Sequence, residues 1–172
     1  MQRPAANEFD PYYDGYISQI KDGEDLLAIM EHQPEELRSM FAQFPENRGT
    51  DAYADGKWTI KEVLSHIIDA ERMFAYRVLR VSRGDQTPIE GFDQEVGYIE
   101  NSNANNRAFA ELVDEFDLAR RSNMLMLRNL SDEAGARMGV ANNIPVSARA
   151  LAHMMAGHVR HHENILKERY LV

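Results

Sequence analysis

Four long stretches of this chain place apolar residues three and four positions apart, and no stretch alternates with a period of two. That pattern constrains the fold most. Each stretch is a helix with one apolar stripe, and the stripes can be buried only against one another. The best-marked start is "KWTIKEV". There Thr59 is placed to cap, Glu62 completes a capping box, and Trp58 and Val63 have the spacing of a hydrophobic staple. This helix runs to about Val81 with the stripe Ile60, Val63, Leu64, Ile67, Phe74, Val78 and Val81. An earlier one covers Asp22 to about Phe44. Pro34 interrupts it, either kinking one helix or opening a second in its first turn.

A third helix is expected over 104–130. A last one, with Ser147 as its cap, runs to about Tyr170. Between them "SDEAGARMGVANNIPVS" reads as a turn, a short helix and a loop. The expected fold is an all-α four-helix bundle, with 1–172 as one domain. The 82–103 segment, broken by Gly84, Pro88, Gly91 and Gly97, suits a crossover between helices two and three better than simple up-down packing. A loop of that length is a binding element, a lid or a disordered connection.

Charge and composition exclude some functions. A formal charge of −9 without a Lys/Arg cluster argues against a nucleic-acid partner, which needs a basic footprint. With no cysteine there is no disulfide framework and no thiol nucleophile. That fits a reducing compartment. "MQRPAANEFDPYYDGY" holds no apolar run of the signal-peptide kind, and no stretch is long enough to span a bilayer. The expectation is a soluble cytoplasmic protein with no membrane partner.

Of six histidines, four lie in "LAHMMAGHVRHHENILKERY". At about 100° per residue, Leu151, Met155, Ile165 and Leu166 mark the buried stripe. His158 and His162 fall in its middle, one turn apart on one face. His161 lies at the edge, and His153 is expected to face water. A bundle core suits imidazole poorly, because each ring carries a donor and an acceptor. Two readings stay open: the pair converges on one ion, as helical HxxxH pairs do in zinc sites, or it is a hydrogen-bonded polar core pair. A third ligand would have to come from another helix. His32 precedes Pro34, and His66 flanks the stripe of its helix together with Val63, Ala70, Met73 and Arg77. The period permits His66 without selecting it.

"GKWTIKEVLSHIIDAERMFAYRVLRVSRGDQTPIEGFD" followed by "ARALAHMMAGHVRHHENILKERY" resembles the DinB/YfiT-like superfamily, over about Tyr12 to Tyr170. The most specific parts are the single histidine of the WxxxEVLxH segment and the GHxxHH segment. The resemblance implies a four-helix bundle with a three-histidine metal site, whose ligands here would be His66, His158 and His162. It also implies a divalent ion, with zinc and nickel foremost, a small-molecule substrate and a homodimer. The implied chemistry is that of a metal-dependent hydrolase or a low-molecular-weight-thiol S-transferase. The alternative is a non-catalytic metal-binding stress-response bundle whose ion is structural.

Glu71 sits near the middle of an apolar stripe, an odd place for a carboxylate. It is a candidate partner for a ligating imidazole or a base, or else an ion pair with Arg72, Arg77 or Arg120. Asp69 and Glu163 are expected on solvated faces. Gly157 lets another helix or a ligand come close. Met124, Met154 and Met155 read as core, and Phe92 and Asp93 are placed to close over a site.

Overall fold

Most of the chain is helical, as the periodicity requires. The structure, a computed structural model, describes residues 1–91 and 97–171. The helices are α1 (Asp14–Ile17), α2 (Leu26–Phe41), α3 (Ile60–Ser82), α4 (Phe109–Leu127), α5 (Asp132–Ala136) and α6 (Ala148–Arg169). The strands β1 (Met138–Ala141) and β2 (Ile144–Ser147) form an antiparallel hairpin between α5 and α6. No described helix is long and apolar enough to cross a membrane.

The start signals work as the residues predict. The Thr59 hydroxyl accepts from the Glu62 amide at 3.1 Å, and the Glu62 carboxylate accepts from the Thr59 amide at 2.8 Å. Ser147 caps α6 by accepting from the Ala150 amide at 3.0 Å. Asp25, just after the left-handed Gly23 (φ 85°), caps α2 in the same way. Pro34 lies inside α2, so one helix spans the proline. The proline has no N–H for the Met30 carbonyl four residues back. That carbonyl instead accepts from the Arg120 guanidinium of α4 at 3.2 Å.

Cross-helix contacts set the directions. α2 runs antiparallel to α4, through Arg38 to Asp114 and Glu31 to Arg128. α3 runs antiparallel to α6, since Trp58 meets Tyr170 and His66 meets His158. α3 and α4 are parallel: Glu62 meets Asn105 just before α4, and Arg72 meets Glu115. The neighbours around the bundle are therefore α2–α4–α3–α6, with α2 and α6 pointing one way and α3 and α4 the other. A parallel pair of consecutive helices needs a connection that returns the length of the bundle. The segment between α3 and α4 makes that crossover.

Two readings of the sequence need correction here. The "MGVANNIPVS" stretch is a hairpin and not a loop. Asn142 (φ 53°) and Asn143 (φ 61°) supply the two consecutive left-handed residues of its turn, the geometry that tight hairpins favour. The strands are only four residues each, too short for alternation to stand out. Ile89 of the crossover adds to the hairpin through bonds to Val140 and Asn142. The third long helix starts at Phe109 and not at 104. A separate 3-10 turn, Ala104–Asn106, ends where Arg107 turns extended.

The apolar core forms two clusters. One is built on Met30, Phe74, Val78, Leu127, Leu151 and Met155. The other is built on Leu37, Leu64, Ile67, Leu112, Phe116, Val159 and Leu166. Between them lies a layer of buried polar side chains: Gln33 on α2, Glu71 on α3, Arg120 on α4 and His158 on α6.

Candidate metal centre

His66 reaches this layer from α3, and His158 and His162 reach it from successive turns of α6. The Nε2 atoms of His66 and His158 lie 2.9 Å apart, and those of His158 and His162 lie 3.1 Å apart. One nitrogen from each ring falls within 4.8 Å of the other two, and all three residues are buried. A divalent ion held by imidazoles at about 2.0–2.1 Å sets ligand nitrogens roughly 2.9–3.4 Å apart for angles between 90° and tetrahedral. The two spacings about His158 fall in that range, and all three nitrogens lie within 4.8 Å of one another. A hydrogen on the His158 Nε2 can point at one neighbour, whereas one cation at the centre satisfies all three lone pairs. The donor set therefore fits a divalent metal.

Burial also holds the rings in the form a metal needs. It lowers His66 to about 4, with a smaller contribution from His161. His158 and His162 are pushed well below the ordinary imidazole range, first by burial and then by their fellow histidines. All three are neutral at pH 7, the state in which imidazole ligates.

Aromatic rings enclose the cluster. Trp58 lies 4.7 Å from the His66 ring, and Phe74 lies 5.9 Å from the His158 ring. Tyr16 stands edge-on to both His158 and His161 at 5.3 Å. His161 is half-buried at the rim, 5.0 Å from His162, as its phase predicts. Gly157 explains how Tyr16 gets there. A Cβ at position 157 would fall well inside contact distance of the Tyr16 carbonyl, so only glycine lets α1 lie on α6. Gly157→Ala is expected to lift α1 and to cost about 1–3 kcal/mol through overpacking. Denaturant unfolding measures the cost, and the near-ultraviolet signal of Tyr16 reports the displacement. An unchanged midpoint would contradict it.

A model of the DinB superfamily matches residues 29–166. The chain belongs to the DinB superfamily. The solved structure of YfiT from Bacillus subtilis, described as a probable metal-dependent hydrolase with an unusual four-helix bundle topology, superposes on this DinB chain with a TM-score of 0.75. The match covers 97% of this chain and 90% of YfiT at 16% identity, so it shows a shared fold. No curated protein matched the sequence.

The other candidates in this DinB bundle divide. His32 is exposed and bonds to the Ala28 carbonyl of its own helix, away from the cluster. Glu71 realises the ion-pair alternative. Its two oxygens accept from Arg120 at 2.8 and 2.7 Å, and Asn123 adds a bond at 2.9 Å. Asp69 is half-buried beside Arg72. Met124, Met154 and Met155 are core. Phe92 and Asp93 lie outside the described residues.

Two expectations fail. His153 does not face water: it is 3% exposed and its ring bonds to the Arg149 carbonyl at 2.8 Å. A helical wheel assumes one buried face, but α6 is covered on its far side by the N-terminal arm, where Glu8 and Gln2 hold Arg149. Glu163 is not on the surface either. It is 5% exposed, and its Oε1 has no hydrogen-bond partner among the described residues. Burial first, then the Glu36 carboxylate, pushes it up to about 7. Sequence reasoning misses Tyr16 altogether. The only signal for it is an aromatic run, "DPYYDGY", opposite a glycine on a long helix.

His153 carries a pH prediction. Burial holds its ring at about 4, below the ordinary 6.5. Between these values the unfolded chain binds the proton and the folded chain does not, so stability rises with pH across that window. Stability is fully present above 6.5 and is lost as pH falls toward 4, by roughly 3 kcal/mol for this one ring. His153→Gln is expected to flatten the slope of unfolding free energy between pH 4 and 6.5. A slope equal to the wild type's would refute it.

Proposed function

We propose that this protein is a metal-dependent enzyme that holds one divalent ion, zinc or nickel, on His66, His158 and His162. Its reaction is hydrolysis or thiol S-transfer on a small-molecule substrate in the cytoplasm. The convergence of three buried, neutral imidazole nitrogens carries this reading. Among the described residues no fourth His, Asp or Glu joins the cluster. An ion with three protein ligands keeps a position for water or substrate, whereas a structural site uses four. Bound there, the ion supplies Lewis-acid activation of a water or thiol nucleophile.

The chain's own residues supply the surroundings. Trp58, Phe74 and Tyr16 exclude water from the buried side and offer apolar faces to a substrate. His161, on the rim, places a half-buried imidazole beside His162. With no cysteine, any sulfur in the reaction comes from a cosubstrate.

The test loads the protein with zinc or nickel and assays two panels. One contains esters and amides; the other pairs low-molecular-weight thiols with electrophilic acceptors. Metal-dependent turnover that requires one particular thiol identifies a transferase, and thiol-independent turnover identifies a hydrolase. One tightly bound equivalent of metal with no turnover in either panel assigns the ion a structural role and defeats the enzymatic reading.

A further inference from the structure

The polar layer beside the histidines links all four long helices through directional bonds. On α4, Arg120 is fully buried. It grips Glu71 of α3 with two nitrogens, at 2.8 and 2.7 Å. Its remaining nitrogen donates to the Met30 carbonyl at 3.2 Å and to the Gln33 side-chain oxygen at 2.5 Å, both on α2. Gln33 in turn donates its amide to the Ala156 carbonyl of α6 at 2.8 Å. The relay thus begins on α3 and ends on α6, the two helices that carry the histidines. Glu71 lies five residues after His66, and Ala156 lies two residues before His158.

A buried ion pair is a poor way to stabilise a core, because apolar residues of similar volume do as well or better. The relay's placement suggests another use. α3 and α6 contribute mainly apolar buried side chains to the two core clusters, among them the small Ala70, Ala75, Ala152 and Ala156. Smooth apolar packing resists a sliding displacement weakly, whereas hydrogen bonds fall off steeply with distance and angle. A metal centre tolerates ligand errors of only about 0.2 Å, while one residue of slippage along a helix is about 1.5 Å. We propose that Glu71, Arg120 and Gln33 are positioning residues for the metal centre. Bonding through α4 and α2, they fix the register of α3 against α6, so that His66 meets His158 and His162. This inference rests on the metal-binding reading of the histidines.

The test separates register from stability. A variant carrying Gln33→Leu, Pro34→Ala, Glu71→Met and Arg120→Met replaces the relay by apolar groups. The Pro34→Ala change restores the helix's own donor to the Met30 carbonyl, so no buried group of the relay is orphaned. Cobalt(II) binding is measured by competition, and the visible d–d bands report coordination geometry. The expected result is a cooperatively folded protein whose cobalt affinity is at least ~10-fold weaker, the loss typical of removing a ligand's support, with altered band positions and intensity. A merely structural relay would move neither readout in a folded variant. Wild-type affinity and spectrum in that protein overturn the proposal.

Should the fourfold variant fail to fold, Gln33→Leu decides alone, since it severs the bond to α6 and the Arg120 contact to Gln33 while leaving Arg120 on Glu71 and Met30. A weaker affinity with altered bands supports the proposal, and wild-type values overturn it. If the wild-type protein binds no cobalt, the metal centre itself falls and the positioning role falls with it. If the wild type binds and the variants match it, only the positioning role is lost.

Discussion

His158→Ala is expected to abolish stoichiometric metal binding. His158 is the central member of the cluster, with its Nε2 2.9 Å from that of His66 and 3.1 Å from that of His162. Without it the two remaining nitrogens have no bridging ligand. Losing a supporting partner of a ligand typically costs ~10–100-fold in metal affinity, so losing the central ligand costs at least ~100-fold. The effect has a second readout that needs no substrate. A ligand that binds only the folded state stabilises it by about 2.7 kcal/mol at a hundred times its Kd. Wild-type protein therefore unfolds at a higher temperature with saturating zinc than with chelator, and the variant loses that difference. His32→Ala is the control: its ring is exposed and engaged within its own helix, so metal content and metal-linked stabilisation stay at wild-type values. Equal metal content in His158→Ala and wild type would remove His158 from the site.

Arg120→Ala is expected to be the most destabilising single change outside the histidines, at about 3–5 kcal/mol. Truncation leaves the Glu71 carboxylate in the core with only the Asn123 amide as donor. It also strips the Met30 carbonyl of the donor that replaces Pro34's missing N–H. The Gln33 side-chain oxygen loses its donor in the same step. Since whole domains are stable by only about 5–15 kcal/mol, this is a large fraction of the total. Urea denaturation is expected to show a lower midpoint with an unchanged m value. A loss below about 1 kcal/mol would mean that the layer is wetter than its burial indicates. The contrast with the fourfold apolar variant is informative. Removing one partner strands a charge, whereas removing all of them strands none and frees only the half-buried Asn123 amide.

Much of this site follows from spacing along single helices. The phase of α6 alone puts His158 and His162 together on the buried stripe and His161 at its edge. A carboxylate in the middle of the α3 stripe calls for a buried cation, and Arg120 is among the three arginines the sequence offers for it. Thr59, Glu62 and Ser147 announce their helix starts, because a cap is a bond between residues three positions apart. The misreadings share one cause. His153 and Glu163 lie off the main stripe of α6, and a stripe can be read only if one knows how many neighbours the helix has. α6 has more than a wheel supposes: α3 on its main face, α2 beside Glu163, α1 against Gly157, and the N-terminal arm over Arg149 and His153. Those contacts join residues far apart along the chain, and no period encodes them.

By itself, then, the sequence determines the helices, their caps, the inward histidine pair and the need for a crossover, since all of these are local or periodic properties. Periodicity leaves His66 open and only the family resemblance names it; tertiary structure shows that it meets that pair, and alone decides that Arg120 is the arginine that meets Glu71 and that Tyr16 covers the cluster. His66 is separated from His158 by ninety-two positions, and only the parallel and antiparallel packing of the four helices sets which turns come level. The physical reason is one of range. Caps and stripes act over one or two turns of helix, whereas a centre shared by two helices depends on their relative register, which the chain specifies only once it is folded.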